Sequence, residues 1–81
     1  MSVRVTLYSK PGCHLCEDVR AVLDDLKDSH HFEIEEIDIT RDQVLFERYC
    51  YEIPILLYDG EEVGRGRISE QDVRTALESR R

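Results

Sequence analysis

Two cysteines, Cys13 and Cys16, stand where a short strand pattern gives way to a helical one, and this placement constrains the chain more than any other feature. Val3, Val5 and Leu7 alternate with Arg4 and Thr6, a period of two that predicts a strand of about six residues. Ser9-Lys10-Pro11-Gly12 breaks the alternation and predicts a loop. From Leu15 the spacing is helical, with Leu15, Val19, Val22, Leu23 and Leu26 on one face. Cys13 therefore falls at a helix mouth and Cys16 one turn in. Unpaired N–H groups and the helix dipole favour an anion there, and a thiolate so placed has its pKa lowered from ~8.5 to within ~3.5–7.5. Cys13 is then the candidate nucleophile. Cys16 is near enough to break a mixed disulfide formed on it. The cationic form of His14, next to Cys13, would favour that thiolate, which makes His14 a candidate tuning residue.

The rest of the chain supplies a scaffold. Glu17 and Asp18 suit the first turn of the helix, and Asp28-Ser29-His30-His31, without periodicity, is expected to be a loop. Phe32 to Ile39 predicts a second strand whose alternation slips at Glu35-Glu36, where a bulge or an early end is expected. Thr40, with Gln43 three residues on, predicts an N-cap for a short helix burying Val44, Leu45 and Tyr49 and ending before Pro54. Cys50 falls at that helix end, a position that favours left-handed geometry, and is expected to be a small half-buried residue packed beside Tyr49 and Tyr51. Ile55-Leu56-Leu57-Tyr58 predicts a third strand, Asp59-Gly60 a tight hairpin, and Glu61-Glu62-Val63 a fourth strand. Gly64-Arg65-Gly66-Arg67 is expected to be a flexible loop. Ser69 and Asp72 form a capping signal, with Ile68 and Val73 as a hydrophobic staple, for a last helix that buries Val73, Ala76 and Leu77 and ends in Arg80-Arg81. The order β-α-β-α-β-β-α predicts an α/β fold: a four-stranded mixed sheet with three helices on its two faces, the first two strands parallel. Ligands of such sheets bind beyond the carboxyl ends of the strands, where the Cys13 loop lies.

Size and charge bound the function. Eighty-one residues suit a single domain spanning 1–81, and a hydrophobic content of 41% suits a folded one. Three cysteines are too few, and odd in number, for a disulfide-stapled secreted scaffold. The first residues are too short and polar a stretch for a signal peptide, and no apolar run approaches membrane-spanning length. A reducing, cytoplasmic location and a monomer with no membrane partner are expected. The net charge of −7 disfavours nucleic acid as a partner.

Several of these residues together resemble a known family. The strand leading into Cys13-x-x-Cys16, the Ile37-Asp38-Ile39 ending, Glu52-Ile53-Pro54 and the Asp59-Gly60 hairpin are similar to the thioredoxin superfamily, and Tyr8-Ser9-Lys10-Pro11-Gly12-Cys13 to glutaredoxin-like proteins in particular. The resemblance implies a thioredoxin-like fold and a thiol–disulfide oxidoreductase, reducing protein or glutathione mixed disulfides. Cys13 matches the attacking thiol and Cys16 the resolving one. Pro54 matches the proline whose preceding peptide bond is cis, which leaves the backbone of Ile53 to pair with an extended substrate. Lys10 matches a basic residue that contacts a glutathione carboxylate. The chain departs from glutaredoxins in two places. His14 and Leu15 replace the usual proline and aromatic residue between the cysteines. Gly64-Arg65-Gly66-Arg67 replaces a Gly-Gly pair, followed by a small polar residue and an acid, that holds glutathione; Gly64 is the candidate substrate-binding residue here, and Arg65 and Arg67 could attract an anionic thiol. Implied partners are disulfide-containing proteins and, as electron source, glutathione or a protein reductase. No bound cofactor and no metal are expected.

Two other classes compete with an oxidoreductase. Cys13 and Cys16 could contribute to a zinc or iron–sulfur module, although Cys50, His14, His30 and His31 form no second pair of suitable spacing. A non-catalytic thioredoxin-like interaction domain would carry the same fold with idle cysteines.

Overall fold

Alternating β-branched residues do open the fold. In the computed structural model, which describes residues 3–79, they form β1 (Val3–Ser9), followed by α1 (His14–His30), β2 (Phe32–Asp38), a 3₁₀ turn (Ile39–Arg41), α2 (Gln43–Tyr49), β3 (Ile55–Tyr58), β4 (Glu61–Arg65) and α3 (Glu70–Ser79). Arg80 and Arg81, expected at the end of the last helix, lie outside the described residues. The strands make one sheet in the order β2-β1-β3-β4. β2 runs parallel to β1 from Val3↔Phe32 to Ser9↔Asp38, while β3 is antiparallel to β1 and β4 to β3. This is the expected α/β architecture, a mixed four-stranded sheet with three helices.

Strand alternation sends neighbouring side chains to opposite faces. Val5, Leu7 and Leu56 meet Val19, Leu23 and Leu26 of α1 and Val73 and Leu77 of α3 in the larger core. Ile55, with Tyr8 and Leu57 at its margin, meets Leu45 and Tyr49 of α2 on the other face. Each fully buried aliphatic side chain of this kind contributes about 1.5–3 kcal/mol. The hairpin turns through Asp59 (φ 48°) and Gly60 (φ 88°), the pair of left-handed conformations that an Asp-Gly turn supplies. Asp59 ties it back to β1, its N–H donating to the Arg4 carbonyl at 2.8 Å and its carboxylate accepting from the Arg4 N–H at 3.0 Å. Ser69 and Asp72 cap α3 reciprocally, at 3.0 Å in both directions.

Local expectations fail at several points. The segment from Asp28 to His30 is helix, not loop: α1 continues until His31, in left-handed geometry (φ 51°), closes it by donating to the Lys27 carbonyl. Leu15 is 39% exposed, and Cys16 takes its place on the buried face. β2 pairs with β1 without a bulge and ends at Asp38, with Ile39 buried in the 3₁₀ turn. The irregular register lies instead in the hairpin, at Leu56/Leu57. Asp42, not Thr40, caps α2, its carboxylate accepting from the N–H groups of Val44 and Leu45. Val44 is 70% exposed rather than buried. Gly64 and Arg65 belong to β4 rather than to a loop, because the ladder to Leu56 and Ile55 extends through them.

Candidate functional site

The carboxyl end of β1 turns through residues 10–12 into α1, and Cys13 becomes the N-cap. Its backbone is extended (φ −90°, ψ 104°), and its Sγ accepts a hydrogen bond from the Cys16 N–H at 3.2 Å. The Cys13 N–H donates to the Lys10 carbonyl at 3.3 Å, which fixes the approach to the helix. The two Cα atoms lie 5.3 Å apart and the sulfurs are joined in a disulfide, the oxidised state of the pair. A sulfur that accepts a first-turn N–H at the mouth of a 17-residue helix sits where negative charge is most stabilised. The two thiols differ in exposure. Cys13 is half-buried; Cys16 is 2% exposed, in an apolar cluster with Ile39, Ile53 and Ile55. Apolar burial disfavours a thiolate on Cys16 once the pair is reduced. The arrangement gives one reachable, anion-favoured sulfur and one sheltered sulfur within bonding range of it.

The Ile53–Pro54 peptide bond is cis, and Pro54 is fully buried. Ile53 belongs to the same cluster as Cys16, and Cys13 packs against that cluster. The expected freedom of the Ile53 backbone is halved. Its N–H donates to the Tyr49 carbonyl at 3.2 Å, so pairing with a substrate would fall on its carbonyl. Lys10 is exposed and lines a surface cleft of about 420 Å³ that Glu17, Glu36 and Asp38 also line. Hydrogen bonds from the Thr40 hydroxyl (2.6 Å) and N–H (2.9 Å) hold the Asp38 carboxyl below the usual range, with help from Arg41. The buried Ser9 hydroxyl donates to Glu36 at 2.8 Å, and Arg20 pairs with the same carboxylate at 2.9 Å. The His14 side chain is 95% exposed, its Nδ1 lying 3.3 Å from Glu17, so a protonated His14 is shared with a carboxylate.

The remaining expected residues lie elsewhere. Gly64 pairs with Leu56 in β4, and a Cβ there would meet Ile68 Cδ1 at 3.3 Å, so its small size serves packing against Ile68. The glycine bonded to the Pro54 carbonyl is Gly66, at 2.8 Å, which a Gly-Arg-Gly-Arg string does not reveal. Arg65 is engaged with Glu52 and Glu62 rather than open to an anionic thiol, while Arg67 is exposed. Cys50 is half-buried as expected and packs against the Cys16 cluster beside Tyr49; its backbone is right-handed (φ −58°, ψ −26°), and Tyr51 is 98% exposed. Among the described residues no three His, Cys, Asp or Glu side chains form a group able to hold a metal, and no helix is long and apolar enough to cross a membrane.

This geometry can be set against known proteins. The model of the Glutaredoxin-like domain family (DUF836) matches residues 4–78. The chain belongs to the glutaredoxin-like family. This glutaredoxin-like domain is 28% identical over 85 residues to the glutaredoxin-like protein YDR286C homolog of Dictyostelium discoideum, covering 96% of the chain and 78% of that protein. Among solved structures it is similar to protein Ne2328 of Nitrosomonas europaea, with 26% identity, a TM-score of 0.78 and coverage of 95% and 93% of the two chains. A mutant thioredoxin from Halobacterium salinarum shares the fold, with a TM-score of 0.73 at 24% identity over 96% of this chain and 74% of that one. The glutaredoxin-like domain thus carries its Cys13–Cys16 pair on a thioredoxin-like fold, a combination that points to a redox function.

Proposed function

We propose that the protein is a thiol–disulfide oxidoreductase in which Cys13 attacks and Cys16 resolves. The observation that carries this is the asymmetry of the pair: a half-buried Cys13 whose sulfur accepts the Cys16 N–H at a helix mouth, and a buried Cys16 behind it. In the reduced protein the Cys13 thiolate attacks a substrate disulfide. A Cys13–substrate mixed disulfide forms and one substrate sulfur leaves as a thiolate, which takes a proton from water. Cys16 then gives up its proton, attacks Cys13 Sγ and expels the second substrate thiol, which closes the Cys13–Cys16 disulfide. Two electrons pass from the dithiol to the substrate. Two equivalents of glutathione, or a dithiol protein reductase, return them.

Disulfides of proteins and mixed disulfides of glutathione are the substrates we assign, in a reducing, cytoplasm-like compartment. The Ile53 carbonyl, beside the cis Pro54, is the group we assign to pairing with an extended substrate chain. Lys10 is the cation for a substrate carboxylate, working in a cleft that three carboxylates share. Reduction of insulin by wild type and Cys13→Ser tests the proposal: loss of turnover in the variant supports it, and equal activity in both contradicts it. Metal analysis of protein purified under reducing conditions separates it from a metal-binding module, which would carry stoichiometric zinc or iron.

A further inference from the structure

We propose that Arg65 is a positioning residue, holding the Glu52-Ile53-Pro54 turn against β4 so that the Ile53 carbonyl faces an incoming substrate chain. The role rests on the thiol–disulfide function proposed above. The turn joins α2 to β3 without helix or strand of its own. On the α2 side a single acceptor secures it: the Tyr49 carbonyl receives the N–H groups of Glu52 at 2.8 Å and Ile53 at 3.2 Å. On the β4 side the Gly66 N–H divides between the Glu52 carbonyl at 3.2 Å and the Pro54 carbonyl at 2.8 Å. Gly66 has φ 69°, a conformation that strains other residues, which explains a glycine at that point.

Arg65 adds the side-chain link. Its Nη1 reaches the Glu52 carboxylate at 2.9 Å, while Nε (2.7 Å) and Nη2 hold Glu62. Glu62 shares β4 with Arg65, so that pair aims the guanidinium; the bond to Glu52 crosses to the turn. The planar fork spends three donors on two carboxylates, a geometry that a lysine ammonium does not reproduce. Engaged in this way, the cation aims the turn instead of receiving an anion. These groups are partly exposed, so the network contributes little to global stability, and its effect belongs in substrate pairing.

The test compares insulin, whose chains can lie along the Ile53 carbonyl, with hydroxyethyl disulfide, which is too small to do so. For Arg65→Ala the expected result is a raised KM and an about fivefold lower kcat/KM on insulin, with the hydroxyethyl disulfide rate within about twofold of wild type. The pH profile of Cys13 alkylation should not move. Arg65→Lys should recover less than half of the insulin loss. Glu52→Gln should reproduce that loss and add nothing to Arg65→Ala in the double variant, and it carries the same expectation if Arg65→Ala does not fold. Equal losses on both disulfides, or unchanged insulin kinetics, overturn the positioning role. A wild type inert towards both disulfides overturns the underlying oxidoreductase function, and the positioning role with it.

Discussion

β1 and β3 feed two apolar clusters of different construction. Beneath α1 and α3, Leu7, Leu23 and Val73 are sealed from solvent, within a layer that includes Val5, Val19, Leu26, Phe32, Leu56 and Leu77. Beneath α2 the buried set is smaller: Cys16, Ile39, Ile53 and Ile55, with Tyr8, Leu45, Tyr49 and Cys50 around its margin. α2 is seven residues long and contributes no fully buried side chain. The thick side can hold the fold together. The thin side is a cover shallow enough for Cys13 to remain half-exposed while Cys16 stays dry. Chemistry is thus placed where packing is least complete, as expected when a reactive group must be reached by a partner.

Substitutions can break or sharpen this contrast. The largest expected effect is on activity: Cys13→Ser should reduce disulfide turnover to background, while its denaturant midpoint matches that of the reduced wild type. Next in size, Leu23→Ala in the thick cluster should cost about 2–5 kcal/mol in urea unfolding, with turnover per folded molecule unchanged. The contrasting substitution on the thin side, Val44→Ala, should stay within about 0.5 kcal/mol, since Val44 is 70% exposed. A comparable cost for Val44→Ala would contradict its place on the open face of α2.

Caps and charges give smaller effects. Ser69→Ala should destabilise by about 1 kcal/mol through loss of the α3 cap. The Ser69 N–H and hydroxyl also lower the Asp72 pKa, as the Arg65 guanidinium lowers that of Glu62 and Thr40 that of Asp38. A depressed folded pKa gives stability that is fully present above the unfolded value, about pH 4, and is lost as pH falls through the folded value. Stability should therefore hold from neutral pH down to that range and fall below it; an acid limb unchanged in Asp72→Asn would remove Asp72 from this explanation. The smallest expected effect is that of His14→Ala, a modest rise in the pH at which Cys13 becomes alkylated. With Glu17 sharing the imidazole, an unchanged curve would show that the helix mouth alone sets the thiolate.

How much of this was legible in the sequence depended on the range of the interactions. Cys13 and Cys16 are one helical turn apart, and the strand before them alternates cleanly, so spacing alone places both at a helix mouth. Ser69 and Asp72 form a reciprocal cap within four residues and are equally readable. Thr40 looked like a cap because Gln43 follows it at the right interval, yet the Asp42 carboxylate reaches two N–H groups and wins. Polar residues in the last turn of α1 carry no apolar period, so Asp28 to His30 looked like a loop, although Leu26 beside them and His30, whose Nε2 lies 3.5 Å from Glu78, pack towards α3. The link between Glu52 and Arg65 and the bond from Gly66 to Pro54 arise only when β4 folds beside the turn, and no local pattern announces them.

Trapping the first covalent intermediate tests the division of labour between the two sulfurs most directly. Reduced Cys16→Ser protein, given a limiting disulfide substrate, should accumulate one mixed disulfide, which peptide mapping by mass spectrometry should place on Cys13. An adduct on Cys50, or no adduct under conditions where wild type turns over, would contradict attack by Cys13 and resolution by Cys16.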